Sequence, residues 1–171
     1  MNELLNAQVT REFYSSYLYR QMASCLGEMG LSIMAQRFLI QADEERLHAI
    51  KLIDYVQKAG GKARLGAVEA PRHEYANVLE VMECTLEHER QITQHINEIM
   101  AQAEADKDYS TRSYLQWYID EQVEEEASFA ELVQLTRLAG DNLLALEDRV
   151  QQRMAAFAAQ RDALANATSG T

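Results

Sequence analysis

Apolar residues recur at helical spacing along most of the chain. Leu5, Val9, Met22 and Leu26 share a face with Glu12, Ser16 and Tyr19, which predicts a helix of about seven turns. Gly30 ends it, Ser32 can cap the next, and Phe38, Ala42, Leu52 and Val56 form a second stripe that stops at Gly60 and Gly61. So short a turn between long helices makes an antiparallel hairpin. Residues 61–76 hold Gly66 and the only proline, Pro71, without helical periodicity. Neighbouring antiparallel helices need less chain than that, so the segment reads as a crossover running the length of a bundle. Asn77, with Glu80 three residues on, resembles a capping box and opens a third helix with Leu79, Met82, Leu86, Ile96 and Met100 facing inward. It fades at Ala105 and Asp106. Ser110 is the expected cap of the fourth helix, whose stripe runs Leu115, Tyr118, Gln122, Glu125, Phe129, Leu132 and which Gly140 closes. Asp141 begins a shorter amphipathic helix, Leu143 to about Met154, followed by an Ala-rich extension expected to fray. The expected fold is all-α: a four-helix bundle with one long crossover between the second and third helices and a short fifth helix, residues 1–154, then a C-terminal extension, 155–171.

Composition narrows the partners. A length of 171 residues, 47% apolar and 25% charged, fits one globular domain with a real core. A net charge of -11 argues against nucleic acid, whose phosphates select basic surfaces, and favours metal cations. Cys25 and Cys84 are too few for a disulfide framework and read as two thiols of a reducing compartment. The opening MNELLNAQV has neither the basic start nor the apolar run of a signal peptide, and no segment approaches a membrane span. The expected location is the cytoplasm, with no membrane partner.

The stripes are interrupted by polar residues in a repeating way. A lone Glu12 is followed by Glu45-x-x-His48, and a lone Glu89 by Gln122-x-x-Glu125; both lone acids precede their partners by 33 residues. Residues three apart share a helical face, so each pair can grip one ion. Four packed helices would bring at least four carboxylates and an imidazole to one level of the core. Without a cation such carboxylates take up protons or destabilise the fold, and two divalent ions remove the difficulty. Carboxylates with one imidazole suit Fe, Mn or Zn and are poor ligands for Cu(I) or thiolate clusters. Around them Asp120, Glu121, Glu124, Glu125 and Glu126 place five acids within seven residues. Taken singly, a Glu-x-x-His is more often a solvated edge, an acidic run a wet face, and an inward Glu89 a satisfied core carboxylate. The coincidence of four interruptions at equal spacing favours the metal. It is the donor arrangement known from di-iron carboxylate bundles, except that Gln122-x-x-Glu125 stands where a second Glu-x-x-His would be.

At these residues the chain resembles the bacterial non-haem ferritins, over about Leu5 to Val150. The stretches that carry the likeness are REFYSSYLYRQM, ADEERLHAIKLIDYV, EHERQITQHIN, LQWYIDEQVEEE and LAGDN. The resemblance implies a hollow homo-oligomer of 24 subunits that oxidises Fe(II) with dioxygen or hydrogen peroxide and stores the ferric mineral. It implies one iron on Glu12, Glu45 and His48, and a second on Glu45 as a bridge, Glu89 and Glu125, with Gln122 beside them to orient dioxygen or a ligated water. A third iron would use Glu44, Glu121, Glu124 and Glu125. Tyr19 resembles the family's redox-active tyrosine and Trp117 is a candidate second electron donor; both also read as aromatics filling core volume. Bacterioferritins carry His at the position of Glu125 and a haem-ligating Met where this chain has Arg46, so no haem is expected. Asp106 and Asp108 are candidates for an iron entry route. Competing expectations are a rubrerythrin-like peroxidase or another di-iron oxidase, and, from a different class, a helical scaffold that binds metal without redox turnover.

Overall fold

The computed structural model describes residues 1–168, and the expected extension lies outside the described residues from residue 169 on. Five helices follow one another: α1 Asn2–Glu28, α2 Ser32–Lys58, α3 Val78–Ala105, α4 Tyr109–Ala139 and α5 Leu143–Thr168. The first four form two antiparallel hairpins packed as a bundle, and α5 packs on α2 and α4. The architecture is the expected one, with the difference that α5 continues beyond Met154 as helix. Its Leu146 and Val150 are buried against the bundle. No described helix is long and apolar enough to cross a membrane.

The turns rest on residues that tolerate left-handed backbone. Gly30, Gly60 and Gly140 all have positive φ, at the helix ends where the sequence placed them. The α3–α4 turn uses Lys107 instead, at φ 56. Gly61 is favoured for another reason: a β-carbon there would press on the Asn2 side chain and lie 3.0 Å from the Val56 carbonyl.

The crossover lies along α1. Asn6 accepts from Arg64 N–H at 2.8 Å and donates to the Lys62 carbonyl at 2.9 Å, Thr10 accepts from Gly66 N–H at 3.3 Å, and Cys25 donates to the His73 carbonyl at 3.3 Å. Contacts from Asn6 to Cys25 span about 28 Å of helix, so the segment traverses the bundle from one end to the other.

Three local expectations are corrected. Ser32 is not a cap: the amides of Ile33 and Met34 donate to the Glu147 carboxylate of α5 at 2.9 and 2.8 Å. Asp108 rather than Ser110 caps α4, accepting from Thr111 N–H at 3.0 Å. On α3 the buried stripe is Val78, Val81, Met82, Thr85, Glu89, Ile92, Ile96, Ile99 and Ala103, while Leu79, Leu86 and Met100 are half-buried. Thr85 belongs inside because its hydroxyl returns to the Val81 carbonyl at 2.9 Å. The Asn77 cap holds as expected, accepting from Glu80 N–H at 3.0 Å, with Glu80 accepting in turn from Ala76 N–H at 2.6 Å.

The apolar core falls into two clusters. One gathers Tyr19, Met22, Leu26, Met34, Phe38, Met82 and Phe129; the other gathers Leu5, Val9, Leu52, Val56, Ile96, Leu115 and Tyr118. Between them in sequence on each helix lie the polar interruptions.

The Glu147 clasp ties α5 to the α2 N-terminus through a charge-assisted pair of hydrogen bonds. Glu147→Ala is expected to lower stability by about 1 kcal/mol, read as a lower midpoint in a circular-dichroism melt; an unchanged midpoint would mean that water serves those amides equally well.

Candidate metal centre

Each ligand candidate is set by its helix. Glu12 stands on α1 one turn after Gln8; Glu45 and His48 share a face of α2; Glu89 lies on α3; Gln122 and Glu125 share a face of α4. All six are buried, Glu125 the least at 8% exposure. Their ligand atoms form two groups in which each atom lies within 4.8 Å of the others: Glu12, Glu45, His48 and Glu45, Glu89, Glu125. Glu45 belongs to both. Two ions would therefore lie side by side, sharing one carboxylate.

The structure tests this fit through the atoms it leaves without partners. His48 Nδ1 and Glu125 Oε2 are buried and make no hydrogen bond, although such groups are normally satisfied. His48 Nδ1 lies 3.4 Å from Glu45 Oε2. A cation between them would take up the lone pairs that nothing in the protein uses.

Five of the other carboxylate oxygens are tied down. Gln8 donates to Glu12 Oε1 at 2.7 Å; Gln41 donates to Glu45 Oε1 at 2.8 Å and to Glu125 Oε1 at 2.7 Å. Tyr19 donates its hydroxyl to Glu89 Oε1. Gln122 donates to Glu89 Oε2 at 3.1 Å, with Thr93 Oγ1 at 3.3 Å, so its amide serves Glu89. Sequence reasoning missed Gln8 and Gln41. A signal was there, since they precede Glu12 and Glu45 by one turn each and repeat the same 33-residue interval.

Burial dominates the electrostatics. It pushes Glu12 well above the ordinary carboxylate range, with Glu45 adding to the effect, and pushes Glu45 to about 8, with Glu89 as the next cause. Glu125 is likewise raised by burial and then by Glu45 and Glu89; burial raises Glu89 against the opposing hydrogen bonds of Tyr19 and Gln122. Burial and then Glu89 hold the Tyr19 phenol firmly protonated. Without a cation the centre is a set of carboxyl groups that keep protons.

Aromatic rings wall the site on both sides. Tyr19 packs with Phe38 and Phe129 at 5.9 and 6.0 Å between centroids. On the other side Trp117 meets the His48 ring edge-on at 5.2 Å, Tyr118 donates to the His48 carbonyl at 2.7 Å, and Lys51 lies over Trp117 at 3.7 Å. The other expected metal residues are not drawn in so closely. Glu44 and Glu121 are half-buried and Glu124 is exposed, and among the described residues no group within the same distance includes them. Glu44 sits 4.0 Å from Arg37.

Known proteins place this geometry. The family model for the ferritin-like domain matches residues 2–139. A probable bacterial non-haem ferritin-like protein of Haemophilus influenzae is 41% identical over 140 residues, covering 82% of this chain and 85% of its own. A bacterial non-haem ferritin of Staphylococcus aureus is 36% identical over 141 residues, covering 82% and 85%. Among solved structures, an open-pore ferritin of the hyperthermophilic archaeon Archaeoglobus fulgidus superposes with a TM-score of 0.85 at 41% identity, over 86% of this chain and 92% of that one. A humanised archaeal ferritin gives 0.86 at 39% identity, over 89% and 93%. The chain belongs to the ferritin family, and its buried carboxylate centre is of the dinuclear ferroxidase type.

Proposed function

We propose that the protein takes up Fe(II) as substrate at two adjacent positions, Glu12–Glu45–His48 and Glu45–Glu89–Glu125, oxidises it, and stores the ferric product inside a shell of 24 copies in the cytoplasm. The observation that carries the proposal is the sharing of Glu45 between both ligand groups. Two ions that close can deliver two electrons together to one dioxygen, one from each Fe(II), giving hydrogen peroxide once two protons are added; hydrogen peroxide in turn takes two electrons from a further pair of Fe(II) and two protons to give two waters. Gln122 and Tyr19 hold Glu89 from opposite oxygens, which keeps it available to one ion. Trp117, against His48, is placed to give an electron to the centre. The cytoplasm suits two unpaired thiols, Cys25 and Cys84.

A third iron position on Glu44, Glu121, Glu124 and Glu125 completes the reading. Gln41 bonds Glu125 across α2 and α4, Glu44 lies one turn beyond Gln41, and Glu121 one turn before Glu125.

Aerobic Fe(II) loading followed by size-exclusion chromatography tests storage: iron far beyond the few ions a bundle can ligate should co-elute with a very large particle. Saturation at a few ions per chain on a small species would leave a di-iron oxidase. Glu45→Ala or His48→Ala should slow rapid Fe(II) oxidation in stopped flow by at least about 100-fold, the upper end of what losing an outer partner of a metal costs; wild-type rates would remove these ligands from the mechanism. Glu124→Gln should keep the initial rate and change the oxygen consumed per iron.

The raised carboxyls also set a pH dependence. Glu45 keeps its proton up to about 8 in the folded chain against 4.5 ordinarily. Between those values the native state binds more protons than the unfolded one, so stability falls as pH rises. His88, lowered from 6.5 to about 4 chiefly by burial, opposes this below pH 6.5. Metal-free protein should therefore melt at lower temperature at pH 8 than at pH 6.5, and redox-inert Zn²⁺ should abolish the difference by replacing the protons. Equal melting at both pH values without metal would contradict the charge assignment.

A further inference from the structure

We infer that Gln8 and Gln41 are positioning residues that bear unequally on the two iron positions, each locked in orientation by a half-buried arginine. The inference rests on the dinuclear reading above. Both glutamines are buried, at 0% and 1% exposure. Gln8 donates to Glu12 at 2.7 Å while its own Oε1 accepts from Arg11 Nη1 at 3.2 Å. Gln41 donates to Glu45 at 2.8 Å and Glu125 at 2.7 Å while its Oε1 accepts from Arg37 Nη1 at 2.7 Å.

The chemistry of the partners makes each amide one-way. A guanidinium only donates and an ionised carboxylate only accepts, so a glutamine between them has one allowed orientation: oxygen to the arginine, NH₂ to the carboxylate. The arginine thereby prevents the amide flip that would turn a carbonyl oxygen on the ligand and repel it.

The two glutamines do different work. Gln8 touches one ligand, Glu12, which belongs only to the first position. Gln41 uses both N–H groups on carboxylates from different helices and so draws Glu125 of α4 towards Glu45 of α2. It occupies Oε1 of each. That leaves Glu125 Oε2 as the buried atom without a partner and Glu45 Oε2 turned towards His48 at 3.4 Å. The second position takes two of its three carboxylates from this pair. Removing Gln41 should therefore loosen the second position, where it holds two ligands, more than the first, where it holds only the shared Glu45.

The test uses the full-length assembled protein, stripped of metal, with Zn²⁺ alone as probe. Anomalous diffraction at the zinc edge reads the occupancy of each position separately at sub-saturating zinc, and calorimetric titration gives the affinities. Gln8→Leu should weaken the Glu12–Glu45–His48 position by about 10–100-fold and leave the other as it was; Gln41→Leu should weaken the second position by about that much and the first, which shares Glu45 with it, by clearly less. Arg37→Leu, at a residue partly in solvent and so less of a risk to folding, should shift the second position in the same direction. Added to Gln41→Leu, it should have no further effect on zinc, because it acts through that amide. Wild-type occupancies in both glutamine variants, equal loss at both positions in each, or additive effects of Arg37 and Gln41 would overturn the inference. If the unmodified protein takes zinc at neither position, the dinuclear reading itself falls and this inference with it; two normal sites insensitive to the glutamines overturn the inference alone.

Discussion

Four carboxyl groups buried at one level of a helical core set the terms for the rest of this bundle. Glu12, Glu45, Glu89 and Glu125 are at most 8% exposed, and burying isolated carboxylates costs far more than a domain of this size has to spare. They remain in the core by keeping protons or by sharing cations. Both solutions need the acids held close together, because a proton or an ion must be reached by several oxygens at once. The long antiparallel hairpins provide this closeness. Each hairpin brings a lone acid opposite a pair three residues apart, and packing the hairpins closes the set.

The apolar clusters on either side are part of the same arrangement. Tyr19, Phe38 and Phe129 pack on one side, and Tyr118 with Trp117 on the other. They exclude the water that would otherwise screen the acids, so each hydrogen bond in the polar layer counts for more. That layer is correspondingly well furnished: Gln8, Gln41, Gln122 and Tyr19 satisfy an oxygen apiece or more. His48 Nδ1 and Glu125 Oε2 are buried ligand atoms that stay without partners. The polar network stops where a metal's ligand sphere would begin.

What was legible in the sequence follows from periodicity. Helix count, hairpins, crossover and the inward burial of six polar residues could be read because polar residues at inward positions of an amphipathic stripe break a pattern, and the break recurs at a fixed interval. Features that depend on distant partners could not. Glu147 caps α2 from more than a hundred residues away, and nothing near Ser32 announces it. Asp108 displaced Ser110 as a cap because both are good capping residues and backbone geometry chooses between them. On α3 the inward stripe was misplaced at Leu79, Leu86 and Met100, since Val, Ile and Thr neighbours made adjacent faces similarly apolar. Gln41 shares with Gln8 the 33-residue interval, but its bridging role was not legible, because its second contact, Glu125, lies on another helix. Glu44, Glu121 and Glu124 were conspicuous as charge, yet conspicuous charge on a helix face says little about convergence.

The count of charges also bears on why such a centre would pass iron on. Four ionised carboxylates balance two divalent ions, so the filled ferrous centre is neutral within its buried walls. Oxidation adds two positive charges to the same cavity, and in low dielectric that excess is costly. Arg11 and Arg37, which donate to the amide oxygens of Gln8 and Gln41, add no negative charge. The four carboxylates of the centre do not offset the excess, so further anions are needed. Ferric ions partnered by such anions depend less on the carboxylates, which can then return to their protons or to fresh Fe(II). A centre with a second Glu-x-x-His would offer one more neutral donor. With Gln122-x-x-Glu125, the amide stays on Glu89 and Thr93, leaving the second iron to carboxylates alone. Carboxylate ligation that is neutral only for the ferrous state favours turnover over a permanently held metal.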